Sequence, residues 1–449
     1  MAAAEPMGGA DRISALPVDI KISILSLLDL NDAIRTSALA RSWRPIWTLL
    51  PCLHLGLGNG NGLGLGLDNH GLVLLPGDSS RTVSSDWIER AHHLVSSLRG
   101  PLDLFELTHR FTSDQSPLIE RLLDLVLQKG GLETLHLYCL RRQILVHLPP
   151  FHSLKALHLS ECHVLLPNGF QGFRSLTTLE LEGVQISNNH LHILINASNN
   201  LTTFLGSEFL VSEHPLSVSI TSPLLRHLTF RIDCSVEKVS VISAPSLEQV
   251  EIRASYSGAS VSKKLAPVVL GLLLSVAMVS SLNLEYGALT CLSRITLPFN
   301  FAFPQLRSLM VNFEFYPKTT CDAFLWLLKS MPFVEELKVE LSYWDRGNWD
   351  EILKEELLGK KQDGISCLNQ TLKSVTIYSY NVNHVMIGIT LGKFFLLNTK
   401  VLKLMKFQGS AWSIVKPGMI EELQKAEAAS SDARVVIFCH EDNGTINIK

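Results

Sequence analysis

Three hexapeptides decide the fold: LETLHL (Leu132–Leu137), LKALHL (Leu154–Leu159) and LTTLEL (Leu176–Leu181). They share one pattern, apolar-x-x-apolar-x-apolar, and follow one another at intervals of 22 residues. Looser copies begin at Leu201 (LTTFLG), Leu225 (LRHLTF), Leu247 (LEQVEI), Val279 (VSSLNL), Leu306 (LRSLMV), Val334 (VEELKV), Leu372 (LKSVTI) and Leu402 (LKLMKF). An earlier one starts at Leu102 (LDLFEL). The copy at Leu154 extends to LKALHLSECHV, which places Cys162 at the Asn/Cys position of the fuller leucine-rich repeat. Each copy reads as a short strand with alternate residues inward: Leu135 and Leu137 face a core, while Thr134, His136 and Tyr138 face out. One such strand cannot bury its own apolar edge, so copies must stack into a parallel sheet.

Between the copies, helical spacing appears. Leu118, Ile119, Leu122, Leu123, Val126 and Leu127 lie along Ser116–Gly130, with Gly130 as the stop, and Cys321–Pro332 reads the same way. The most apolar run, Val268–Val279, is too short to span a bilayer and fits a buried helix. The expected fold class is therefore α/β, a leucine-rich-repeat solenoid of parallel strands with helices on the convex side.

Composition narrows the function. The chain has 449 residues, 46 % of them hydrophobic and 18 % charged, with a formal charge of −3. That composition argues for a packed chain, and the absence of a basic excess argues against a nucleic-acid partner. The first residues lack a basic segment followed by an apolar core, so no secretory signal is read there and no membrane partner is expected. Eight scattered cysteines without CxxC spacing suit a reduced, soluble intracellular protein, in nucleus or cytoplasm.

Tempting chemistry dissolves on inspection. In LGLGNGNGLGLGLD (Leu55–Asp68) every glycine holds an even position, so G-x-G-x-x-G cannot occur within it, and the run reads as a linker. His136 and His158 occupy equivalent outward positions one repeat apart, but no third ligand is specified for a metal. Cys162 fills a structural repeat position, and none of the common nucleophile or metalloprotease motifs is present. We expect no catalytic residue, no cofactor and no metal.

The amino-terminal segment DRISALPVDIKISILSLLDLNDAIRTSALARSWRPIWTLLPCLHL starts at Asp11. Its spacing predicts a helix after Pro17, with Ile20, Ile24, Leu25 and Leu28 on one apolar face. DLND (Asp29–Asp32) supplies a turn and a cap for a second helix carrying Ile34, Leu39, Trp43 and Trp47, which Pro45 ends or kinks. A unit this small and this apolar needs a cover, either the end of the repeat array or a partner protein.

These residues resemble an F-box: the Leu16-Pro17 opening, the Ile24-Leu25 and Leu28 pair, and the closing Trp43-Arg44. DAIRTSALARSWRPIWTLLPCL is similar to plant F-box proteins that carry leucine-rich repeats. The tail, Leu372–Phe407 and then Glu421–Phe438, resembles the FBD region of the same group. Small Ala38, Ala40 and Ser42 stand where many relatives have larger residues, and the glycine run is not a family feature.

Composition, periodicity and the resemblance together divide the chain into 1–10 as a disordered start, 11–50 as the F-box, 51–85 as a glycine-rich linker, 86–360 as repeats and 361–449 as an FBD-like α/β tail. The resemblance implies a substrate receptor of an SCF-type cullin–RING ubiquitin ligase, itself non-catalytic. Leu16, Pro17, Ile20, Ile24, Leu25, Leu28, Leu39, Trp43 and Trp47 would bury against a Skp-type adaptor. In such arrays the outward strand residues form the binding surface. Here that means Thr134, His136, Tyr138, His158, Ser160, Thr178, Glu180, Glu182, His227, Arg231, Glu251 and Arg253 as candidates for an unknown protein target. The alternative from another class is a repeat scaffold outside any ligase, whose amino-terminal helices only cap the array.

Overall fold

The computed structural model describes residues 12–56, 84–139, 144–210, 215–255, 259–285, 287–314, 319–342, 351, 353–359, 364–381, 384–414, 417–439 and 444–447. The chain divides into two compact units, 1–201 with 209–212, and 202–208 with 213–449.

The first unit holds β1 (Cys52–Gly56), β2 (Leu104–His109), β3 (Thr134–Cys139), β4 (Leu145–His147), β5 (Ala156–Ser160), β6 (His163–Leu165) and β7 (Thr178–Glu182). β1, β2, β3, β5 and β7 lie side by side in that order, all parallel, while β4 and β6 pair separately. The register is unbroken: Leu53, Phe105, Leu135, Leu157 and Leu179 form one inward row, and Leu55, Leu107, Leu137, Leu159 and Leu181 the next. All ten are buried, so each repeat closes the core of its neighbour. Behind the sheet, helix Ser116–Lys129 buries Ile119, Leu122, Leu123 and Val126, and ends at Gly130 with φ +70°. Helix Ser85–Ser97 buries Trp87, Ile88, Ala91 and Val95.

Two sequence expectations change in this unit. The linker expected from residue 51 does not begin there, because Cys52–Gly56 is the first strand of the sheet, paired with Leu104–Thr108. Leu50, Leu53 and Leu55 repeat the apolar pattern, and all three are buried. The rest of the glycine run, within 57–83, lies outside the described residues. The second amino-terminal helix also stops early, at Arg35 (Leu30–Arg35), after a cap in which Asp29 accepts from the Asp32 amide at 2.8 Å. There the Thr36 hydroxyl donates to the Ala33 carbonyl at 2.6 Å, competing with the helical amide. Short 3₁₀ turns at Thr36–Ala38 and Ile46–Leu49 replace the longer helix.

The second unit continues with β8 (Thr203–Ser207), β9 (Leu216–Thr221), β10 (His227–Ile232), β11 (Val236–Ser243), β12 (Gln249–Ala254) and β13 (Ser281–Glu285). Then come β14 (Ser308–Glu314), β15 (Glu336–Ser342), β16 (Ser374–Ser379), β17 (Leu404–Gln408), β18 (Arg434–Cys439) and β19 (Gly444–Asn447). β8, β10 and β12 to β18 form one parallel run that β19 ends antiparallel, while β9 and β11 pair apart from it. The FBD-like tail extends this same sheet, since Leu337, Val375, Met405 and Val435 lie in register from β15 to β18. The apolar run from Val268 falls mostly in helix Ala259–Ser275, where Val269, Leu272 and Leu273 are fully buried. Among the described residues no helix is long and apolar enough to cross a membrane.

Candidate functional site

Two surfaces carry the candidate residues. The first is the amino-terminal module. Its helix Val18–Leu25 follows Pro17, whose extended backbone leads into the first turn. Leu25 is 0 % and Trp43 3 % exposed, so both belong to the module's own core. They are not on the face expected to meet an adaptor. Trp43 lies beneath the Lys21 ammonium, 5.5 Å from its ring centroid. Ile20 (47 %), Ile24 (38 %), Leu28 (37 %) and Leu39 (71 %) are exposed, as is Pro17, while Leu16 and Trp47 are half-buried. Val18 and Leu27 are further exposed apolar side chains on the same module, missed because they lie off the stripe read from the sequence.

The module is also tied to the repeats. The Arg99 and Gly100 amides donate to the Thr48 carbonyl at 2.7 and 3.3 Å, and the Asp103 amide donates to the Pro51 carbonyl at 2.7 Å.

The second surface is the outward face of the sheet. In the first unit one row runs in register through His54, Glu106, His136, His158 and Glu180. Glu106 Oε2 accepts from His54 Nδ1 at 2.8 Å and lies 3.9 Å from His136 Nδ1. The neighbouring imidazoles of His136 and His54 hold its carboxyl far below the usual range. Glu180 Oε2 accepts from His158 Nδ1 at 2.6 Å, which lowers the Glu180 pKa in the same way. The His136 and His158 rings meet edge to face at 4.1 Å, and His136 stands against Tyr138 at 6.1 Å. Burial and the charges of Glu106, Glu180 and Glu182 push the Tyr138 phenol up. Thr134 and Thr178 flank this row half-exposed, Glu182 is exposed, and Ser160 is nearly buried. His54 and Glu106 were missed from sequence: the first sat in the supposed linker, the second in a repeat whose spacing is irregular.

In the second unit His227 and Gln249 pair through Nδ1 and Oε1 at 3.2 Å. Arg231 bonds Glu208 at 2.8 Å, and Arg253 joins Glu251 to Glu285. Burial and the Glu285 charge raise the Glu251 pKa. A shallow cavity of about 230 Å³ opens here, lined among others by His227, Thr229, Glu251, Asn283, Met310 and Lys338.

Cys162 is fully buried, as its repeat position requires. Among the described residues no group of three or more His, Cys, Asp or Glu side chains is arranged to hold a metal ion.

Comparison with known proteins agrees with this architecture. Residues 119–339 match the sequence profile of the family described as FBD-associated F-box protein At5g56370, LRR repeats. The chain is 27 % identical over 244 residues to F-box/FBD/LRR-repeat protein At1g13570 of Arabidopsis thaliana, a match covering 54 % of this chain and 53 % of that protein. It is 23 % identical over 360 residues to the putative F-box/FBD/LRR-repeat protein At5g56810 of the same plant, covering 76 % and 77 %. A third relative, F-box/LRR-repeat protein At3g26922, is 27 % identical over 271 residues, 54 % of this chain and 74 % of its own length. The chain thus spans about half the length of the first of these relatives and about three quarters of the other two. It is similar to plant F-box proteins with leucine-rich repeats and an FBD region.

Proposed function

We propose that this chain is the substrate-recognition subunit of an SCF-type cullin–RING ubiquitin ligase. In this reading Pro17, Ile20, Ile24, Leu28 and Leu39 bury against a Skp-type adaptor, with Leu16 and Trp47 at the margin. Leu25 and Trp43 hold the module's shape from within. The observation that carries the reading is the cluster of exposed Ile20, Ile24, Leu28 and Leu39 on one small module. Water-exposed aliphatic side chains at this density mark a surface that a partner covers. Through the adaptor the chain joins a cullin–RING core, and the repeats hold the protein to be ubiquitinated. No residue of the chain performs chemistry; the gain in rate comes from keeping target lysines near the charged conjugating enzyme. Such a role is exercised in the cytoplasm or the nucleus.

The scaffold reading draws on the bonds from Arg99, Gly100 and Asp103 to Thr48 and Pro51, through which the module covers the first repeat. A cap, however, needs its apolar residues turned inward, and it leaves Ile20 and Leu39 without a purpose. The separating experiment is co-purification of the full chain with a Skp-type adaptor. We expect capture by the wild type and loss in Ile24→Asp/Leu28→Asp. A folded wild-type chain that captures no adaptor would leave the scaffold reading.

A further inference from the structure

The outward face of the first unit carries carboxylates whose partners there are histidines and not lysine or arginine. The outward positions of β1, β2, β3, β5 and β7 include three glutamates, Glu106, Glu180 and Glu182, and no lysine or arginine. Two of these carboxylates have imidazole neighbours that lower their pKa values, so both are ionised at neutral pH. Its floor is aromatic, because His136 and His158 stand edge to face between Glu106 and Glu180, with Tyr138 edge-on beside His136. Aromatic faces walled by carboxylates suit a cation, which gains ring attraction and charge-assisted hydrogen bonds together. In the second unit, by contrast, Glu208 is paired with Arg231, and Glu251 and Glu285 with Arg253.

Spacing sets the form of the ligand. Glu106 on β2 and Glu180 on β7 are separated by β3 and β5, which is three strand intervals. At ~4.8 Å each, these amount to about 14 Å. An extended chain rises ~3.4 Å per residue, so side chains four residues apart match that span.

We propose that this face binds a basic extended segment of the target, with lysine or arginine at positions i and i+4 that seat beside Glu106 and Glu180 across the His136–His158 pair, next to Tyr138. The inference rests on the receptor reading for calling the ligand a target, but the binding itself can be measured without the adaptor.

The test uses the purified full chain and a fluorescein-labelled peptide, Gly-Ser-Arg-Ser-Gly-Ser-Arg-Ser-Gly, read by polarisation. Two control peptides carry glutamate in place of arginine, or the two arginines adjacent. We expect the i, i+4 arginine peptide to bind at least about tenfold more tightly than either control, as complementary charge and register require. The substitutions Glu106→Gln/Glu180→Gln should weaken it by about tenfold or more. Glu182→Lys, at an exposed position where folding is not at stake, should weaken it as well. Equal binding of the glutamate peptide, or unchanged affinity in both variants, overturns the proposal. Failure of the peptide to bind a chain that still captures the adaptor overturns the surface and leaves the receptor reading standing. Peptide binding without adaptor capture supports the surface and removes the receptor reading.

Discussion

The Lys21 ammonium sits 5.5 Å from the centroid of the Trp43 ring, and both residues are buried, Lys21 at 4 % and Trp43 at 3 % exposure. The charge is tolerated there because Lys21 Nζ also donates to the Ser14 carbonyl at 2.8 Å. Trp43 therefore acts as the module's keystone and not as an anchor for a partner. Trp43→Ala should cost about 3–5 kcal/mol locally, as for other buried aromatics cut to alanine. Hydrogen exchange of Val18–Leu25 reads this directly: its amides should lose protection while those of β10 to β17 keep theirs. Adaptor capture would then fall as a consequence of unfolding.

The exposed face should behave in the opposite way. Ile24→Asp and Leu28→Asp remove apolar side chains that are 38 % and 37 % exposed, so each should cost about 1–2 kcal/mol of stability, well below the Trp43→Ala loss. Affinity for a Skp-type adaptor should fall by about 2 kcal/mol or more, roughly 30-fold in Kd, if these are the interface's anchors. Paired thermal unfolding and adaptor titration on one preparation separate the two effects. A variant that melts as early as Trp43→Ala and binds weakly would place these residues in the core instead.

The repeat was legible because a parallel strand buried on one face leaves a period-2 apolar signature. In the copies at Leu102, Leu132, Leu154 and Leu176 the strand starts two residues into the hexapeptide. β1 was hidden because Leu50-Pro51-Cys52 looked like the end of a helical module, although Leu53 and Leu55 keep the pattern. β18 was hidden because Asp432 and Ala433 stand where the other copies open on an aliphatic residue. The roles of Leu25 and Trp43 were illegible for a different reason. Periodicity identifies an apolar stripe, but only packing decides whether that stripe meets its own chain or another. The His54–Glu106 pair needed the register of β1 on β2, which no spacing in the sequence contains.

His109 predicts a pH dependence for the first unit. It is 9 % exposed, stands edge-on to Trp87 at 5.4 Å, and its Nδ1 accepts from the Arg110 amide at 2.8 Å. Burial, then the Arg110 charge, lowers its pKa from 6.5 to about 4. The unfolded chain therefore takes up the proton first as pH falls. The contribution to stability is whole above pH 6.5, declines between 6.5 and about 4, and amounts to about 3 kcal/mol across that window. Glu106 and Glu180, whose pKa values are lowered, add losses only further into acid, below their ordinary value of 4.5. Denaturant titrations from pH 7 to pH 4 should show the slope in the wild type and lose most of it in His109→Gln. A slope unchanged by the substitution would assign the window to other groups.

The tail offers the sharpest steric prediction. Gly409 follows β17 with φ +116°, a backbone conformation that side chains bearing a Cβ rarely adopt. A Cβ there would also lie 2.1 Å from the Ser379 carbonyl oxygen and 2.8 Å from its carbon, both backbone atoms of β16. Neither obstacle can be relieved by turning a side chain, so Gly409→Ala must part the strands near the Tyr378–Gln408 pairing or refold the turn. We expect a loss of about 3 kcal/mol or more, as for other incompatible backbone substitutions and overpacked sites. The damage should be local. Amides of Ser374–Ser379 and Leu404–Gln408 should exchange faster, while those of Thr134–Cys139 keep their protection and adaptor capture stays intact. If the variant's β16 and β17 amides exchanged at the wild-type rate, the close approach of Gly409 to Ser379 would not be a constraint on this sheet.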